Sequence, residues 1–138
     1  MEEIRRHDAE RREQVLGLLR DGALRTSQDY HDAALVLQHG ETVADARMAF
    51  AMATISTTLA PTSKPAAWLE AAAWDRLMMR HHRPQWYGTQ YVPSNDGKYW
   101  MLYDFDPAPI SDEERIAAGV DKAADVARSF ARQARPSK

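Results

Sequence analysis

The chain reads as an α+β domain, mainly α: a compact set of five to six helices with one antiparallel β-hairpin packed on it. Three observations predict this. Several long segments repeat apolar residues at helical spacing, and capping residues, glycines and prolines punctuate those segments at both ends. Only residues 86–104 depart from that pattern, alternating around an Asp96-Gly97 turn. With 138 residues the chain forms one domain, large enough for a core without covalent staples, with residues 135–138 as a loose tail.

Residues 2–21 predict the first helix, with Val15, Leu16, Leu18 and Leu19 as its buried end and Gly22 stopping it. Its first half is charged, and Asp8 is spaced to pair with Arg11 or Arg12 on a solvated face. Thr26 or Ser27 caps a second helix running through His39, closed by Gly40. That helix is apolar nearly all round at its centre, which predicts burial and places Gln38 and His39 at the C-terminal end of a core element. There the helix dipole favours imidazolium. His39 is then either a proton donor to a substrate or a cap on terminal carbonyls.

Thr42 with Asp45 opens a third helix that carries Val43, Ala46, Phe50, Ala53 and Ile55 inward, with Met48 and Met52 filling gaps. The hydroxyl-rich residues 54–58 are poor helix formers and predict fraying toward Pro61. Pro65, at a first helical position, opens the fourth helix, in which Trp68, Ala72, Asp75 and Met79 share one face and Leu69, Ala73, Arg76 and Arg80 share the next. Asp75 and Arg76 thus enter a largely apolar helix on diverging vectors, and burial there requires partners. The adjacent His81 and His82 at its end point in different directions and read as an exposed cap.

Residues 86–92 and 98–104 predict the two strands of the hairpin. If Trp86, Gly88 and Gln90 face one way, Tyr87, Thr89 and Tyr91 face the other. Ser111 with Glu114 forms a capping box for a short helix ending at Gly119, and residues 120–134 form the last helix with Ala124, Val126, Ala127 and Phe130 inward. Arg128, Arg132 and Arg135 read as surface charges near its end.

Composition narrows the function. A net charge of -2 gives no general attraction to nucleic acid or to anionic membrane, and no apolar run is long enough to span a bilayer. The N-terminus lacks the apolar stretch of a signal peptide, which reads as a cytoplasmic protein. Without cysteine there is no disulfide, thiolate metal site or cysteine nucleophile. None of the six glycines lies in a phosphate-binding loop, and there is no nucleophile elbow or paired-histidine zinc motif, so neither a cofactor nor a metal is expected.

The densest chemistry lies in residues 83–91, where Gln85, Tyr87, Thr89 and Gln90 crowd around Gly88 directly after a helix. Either the polar members line a pocket, or the aromatics pack and the amides bond backbone at the sheet edge. Together, Asp8-x-x-Arg11, the Gln38-His39-Gly40 element, Asp75-Arg76 and Tyr87-Gly88-Thr89-Gln90, followed by Asp112-x-x-Arg115, resemble a family of small bacterial proteins known as a domain of unknown function. The resemblance covers nearly the whole chain and implies a site, not a reaction. Residues 62–65 depart from the glycine-centred bend that it leads one to expect.

The residue types suit a cofactor-independent enzyme of the lyase, isomerase or hydrolase kind acting on a small polar or anionic metabolite. His39 is the candidate general acid or base, Arg76 the anion holder and Asp75 the group that orients one of them; Gln38, Gln85, Tyr87, Thr89 and Gln90 position the substrate. The alternative is a non-catalytic module, in which these residues form a structural network and the domain binds a protein partner, a second copy of itself or a small ligand. An interaction module is expected to expose Trp86 or Trp100.

Overall fold

The computed structural model describes residues 1–133, with side chains through Ser129. Six helices and a two-stranded antiparallel sheet are present among them, as expected: α1 (Glu2–Arg20), α2 (Ser27–Leu37), α3 (Val43–Leu59), α4 (Lys64–Arg80), β1 (Tyr91–Pro93), β2 (Trp100–Leu102), α5 (Asp112–Ala117) and α6 (Ala123–Gln133). The inward role of Phe130, the charges of Arg132 and Arg135 and the tail at 135–138 lie outside the described side chains or residues.

Helix starts are set locally. Thr26, Thr42 and Ser111 each accept a hydrogen bond from the backbone N–H three residues on, while the Asp29, Asp45 and Glu114 carboxylates accept one from the backbone N–H of the cap, giving three reciprocal capping boxes. Ser63 caps α4, and Pro65 sits one position further in than expected, after Lys64.

The core is built from Ala33, Ala34, Leu37, Ala49, Met52, Ala53, Leu69 and Ala73, on α2, α3 and α4. The alanines at these positions let the helix axes come close, and Met52 fills the remaining space. Helix α1 leans on this core through Val15, Leu16 and Leu19; Leu18, expected inside, points outward because those three already form the inner stripe. Helix α2 is likewise less buried than its apolar centre predicts: Leu35 is exposed, since α3 and α4 cover only the Ala33, Ala34 and Leu37 side.

The expected fraying of residues 54–58 does not occur. Ser27 and Ser56 exchange hydroxyl-to-carbonyl hydrogen bonds, each 2.9 Å, across α2 and α3. The Thr57 and Thr58 hydroxyls donate back to Ala53 and Thr54, so of the groups that weaken an isolated helix here only the buried Thr54 hydroxyl is left without a partner among the described residues.

The hairpin is shorter than expected. Tyr91, Val92 and Pro93 pair with Leu102, Met101 and Trp100, around a turn in which Asp96 accepts from the Ser94 hydroxyl and the Lys98 N–H. Residues 86–90 are not strand, for a reason found at Asp75 below. In α6, Val126 is buried, while Ala124 and Ala127 are exposed. The helix begins only at Ala123, whose N–H donates to Asp112, and its inner face follows Ala123, Val126 and Ser129 instead.

Helix α4 ends in a Schellman motif. The N–H groups of His82 and Arg83 donate to the carbonyls of Met79 and Met78, with His82 in the left-handed region at φ 56°. Glycine holds that conformation without the Cβ penalty of about 1 kcal/mol. His82→Gly is therefore expected to stabilise the domain by about 1 kcal/mol, raising the midpoint of thermal unfolding by about 4 °C.

Candidate functional site

Asp75 is fully buried on α4, and its carboxylate gathers the stretch that sequence singled out. Oδ1 accepts from the N–H groups of Trp86 and Tyr87 at 2.8 and 3.0 Å; Oδ2 accepts from the N–H and hydroxyl of Thr89 at 3.0 and 2.7 Å. A strand needs successive N–H groups pointing to opposite sides, whereas here they converge on one acceptor, so residues 86–89 wrap around the carboxylate. The two-faced alternation expected of Trp86 to Tyr91 is therefore absent. Burial pushes the Asp75 carboxyl above the ordinary carboxylate range, against the opposing pull of these donors.

Two glutamines complete the frame. Gln85 is fully buried; its Nε2 donates to the carbonyls of Gln90 and Tyr103, each at 2.9 Å, and its Oε1 accepts from the Gln90 N–H. The Gln90 amide donates to the Ala72 carbonyl and to the Thr89 hydroxyl. Backbone bonds from Gln85 to Asp104 and from Asp106 to Gln85 lock the same segment to the far end of the hairpin. Gln85, Thr89 and Gln90 thus form a structural network around the loop, in which the two amides take the backbone-bonding role that the sequence left open for them and the Thr89 hydroxyl bonds the Asp75 carboxylate.

Arg76 and Arg80 leave α4 on the other side, as their spacing implies. Arg76 Nη1 donates to the Gln38 carbonyl and Arg80 Nη2 to the Gly40 carbonyl, both at 3.2 Å, so two guanidinium groups cap the C-terminus of α2. Burial, and the charge of Arg80 beside it, lower the proton affinity of Arg76. Gly40 is required there, because a Cβ would collide with the Asp45 side chain. Gln38 caps α2 and is half-buried, while His39 lies beyond the helix and is exposed, not held in the core. His39 shares a groove of about 140 Å³ with Asp8, Arg11, Leu35 and Val36.

The predicted residues therefore divide into two groups. Asp75, Gln85, Tyr87, Thr89 and Gln90 come together; Arg76 reaches Gln38 beside His39; and the bonds of Asp75 go to the loop, not to His39 or Arg76. Sequence reasoning missed Arg115, which is fully buried and organises the other side of the loop. It donates to the carbonyls of Trp86, Pro107 and Ile110 at 2.8 to 3.0 Å, lies 5.6 Å from the centre of the Phe105 ring and pairs with Asp112 at 3.6 Å. The Asp112-x-x-Arg115 spacing was its only signal.

The framed loop forms one wall of a cleft of about 380 Å³. Tyr87, Gly88, Thr89 and Tyr91 face Val120, Asp121 and Val126, with Trp68 at the side. Gly88 adopts φ 82°, and a Cβ on it would lie 2.7 Å from Val126 Cγ1, so both its conformation and its contact with α6 exclude a side chain. Among the described residues no group of three or more histidines and carboxylates is arranged to hold a metal, and no helix is long and apolar enough to cross a membrane. The chain matches no known family model, no curated protein and no solved structure.

Asp75→Ala is expected to destabilise the domain by about 3 kcal/mol in denaturant unfolding, because three N–H groups and a hydroxyl lose their acceptor together. Gly88→Ala is expected to lose a similar amount from strain and overpacking. Adding Val126→Ala should recover the overpacking part only, a coupling that a double-mutant cycle measures.

Proposed function

We propose that this domain is a non-catalytic ligand-binding module whose polar residues form a structural frame and whose binding site is the cleft between the 87–91 segment and α6. The observation that carries this reading is the four-donor clamp on Asp75, which sets one cleft wall in place before any ligand arrives. The cleft volume suits a small metabolite. The Ser129 hydroxyl and the Asp121 carboxylate supply polar groups, and Trp68, Tyr87 and Tyr91 supply aromatic surface. Trp100, one of the two tryptophans whose exposure a protein-interaction module calls for, is exposed on the hairpin beside Tyr99 and Met101, which supports docking of a partner or second copy there.

The groove at His39 favours a second reading, a cofactor-independent acid–base enzyme acting on a small anionic metabolite. An imidazole, the Asp8 carboxylate and the Arg11 guanidinium line one depression, with His39 as acid or base and Arg11 as the anion holder. Asp75 and Arg76 would then contribute by holding the frame and the end of α2.

A thermal-shift screen of small polar metabolites separates the two. For a binding module, a hit raises the unfolding midpoint of the parent and of His39→Ala equally, whereas Ser129→Phe, which fills the cleft, abolishes the shift with its own midpoint within about 2 °C of the parent. A shift that survives Ser129→Phe counts against the cleft. Turnover of a hit that His39→Ala abolishes without loss of stability would establish the enzyme instead.

A further inference from the structure

A second cavity, of about 210 Å³, shares Tyr87 with the main cleft, and the reading above does not use it. Its walls are Phe50 of α3, Glu70 and Trp74 of α4, and Trp86 and Tyr87 of the clamped loop. Phe50 and Trp74 have ring centres 5.2 Å apart and Trp74 and Trp86 4.6 Å apart, each pair tilted by 58°. Rings set at such angles form a concave wall and not a flat stack. Trp86 owes its place to Asp75, which accepts its N–H, and to Arg115, which holds its carbonyl.

We propose that this cavity binds a quaternary ammonium group, with the aromatic rings as its walls and Glu70 as its counter-charge. The faces of aromatic rings carry negative potential and attract cations within about 6 Å. Glu70 is half-buried and lies one turn before Trp74, and among the described residues it makes no hydrogen bond or ion pair. A carboxylate left without a partner beside aromatic faces is complementary to a cation. Its field is felt at Tyr87, whose hydroxyl is pushed up first by burial, then by Glu114, Asp75 and Glu70, with Arg115 opposing. No lysine, arginine or histidine is among the lining residues described.

The walls also choose between kinds of cation. A primary ammonium brings three N–H donors, each needing an acceptor, and only Glu70 and Tyr87 carry side-chain acceptors in the described lining, since the indole N–H groups of Trp74 and Trp86 donate. A quaternary ammonium has no N–H to satisfy and spreads its charge over methyl groups that pack on ring faces. The cavity is smaller than a typical metabolite pocket, which suits a head group with the remainder of the ligand outside.

The test titrates the full chain with choline chloride at ionic strength held constant by sodium chloride, following tryptophan fluorescence. The expected result is saturable binding in the millimolar range or tighter, at least about tenfold stronger than that of 3,3-dimethyl-1-butanol, the uncharged carbon analogue of choline. Glu70→Gln should weaken choline about tenfold and leave the analogue unchanged, with an unfolding midpoint close to the parent's. Phe50→Leu should weaken choline several-fold and provides a second variant should Glu70→Gln prove unstable. A short peptide carrying trimethyl-lysine, compared with its unmodified form, distinguishes a side chain from a free metabolite as the source of the group. The proposal is overturned if choline does not saturate the signal, if the analogue binds equally well, or if stable Glu70→Gln and Phe50→Leu both bind as the parent does. Choline binding that Ser129→Phe removes and Glu70→Gln spares would likewise overturn it, placing the ligand in the main cleft.

Discussion

The Asp75 carboxylate is the point on which the second half of the molecule depends. It enters the protein from a helix whose neighbours in sequence are mostly alanine and large apolar residues, so its charge is supported only by the donors brought to it. Those donors come from residues 11 to 14 positions later. Meeting them forces the chain to curl after α4. That curl sets Trp86 against Trp74, brings Gly88 beneath Val126 and turns the Trp86 carbonyl toward Arg115. Each contact is ordinary, and all of them follow from the need to surround one buried charge.

Asp75 and Arg76 act as a bracket because adjacent helical residues point about 100° apart. One holds the loop that carries Tyr87 to Thr89; the other, with Arg80 one turn on, holds the carbonyls at the end of α2. The Gln38-His39-Gly40, Asp75-Arg76 and Tyr87-Gly88-Thr89-Gln90 elements are thereby joined through α4. Arg115 supplies a second bracket from α5 by collecting three carbonyls. A guanidinium suits this place, since it presents several donors in a fixed plane and keeps its charge when buried.

What was legible in the sequence is what local chemistry decides. The Thr42/Asp45 and Ser111/Glu114 caps could be read because each pair lies within one helical turn, and of the two caps offered for α2 it is Thr26 that serves, paired with Asp29. Gly88 could be singled out because a lone glycine among bulky side chains marks a special backbone or a close approach, and here it is both. Residues 86–90 misled because their aromatic and β-branched alternation suits a strand, while the acceptor that overrides it sits on another element. The hydroxyls of residues 54–58 misled in the same way, since Ser56 is satisfied by Ser27, 29 positions away. His39 followed the expectation of a buried α2, and that expectation failed once α3 and α4 covered only one side of the helix.

A dense cluster of hydrogen-bonding residues need not be the place where a protein meets its ligand. A buried amide or carboxylate must be satisfied, and satisfying it internally uses the groups a ligand would have met. Gln85 illustrates this: both polar atoms of its side chain are committed to backbone. What such a network delivers is placement, because aromatic rings and a bare glycine carried on a fixed loop stay where the loop puts them. Tyr87 is held by its backbone N–H on Asp75 and borders two cavities at once. The frame and the recognition surface are therefore different atoms of the same residues, and the Asp75 clamp joins them.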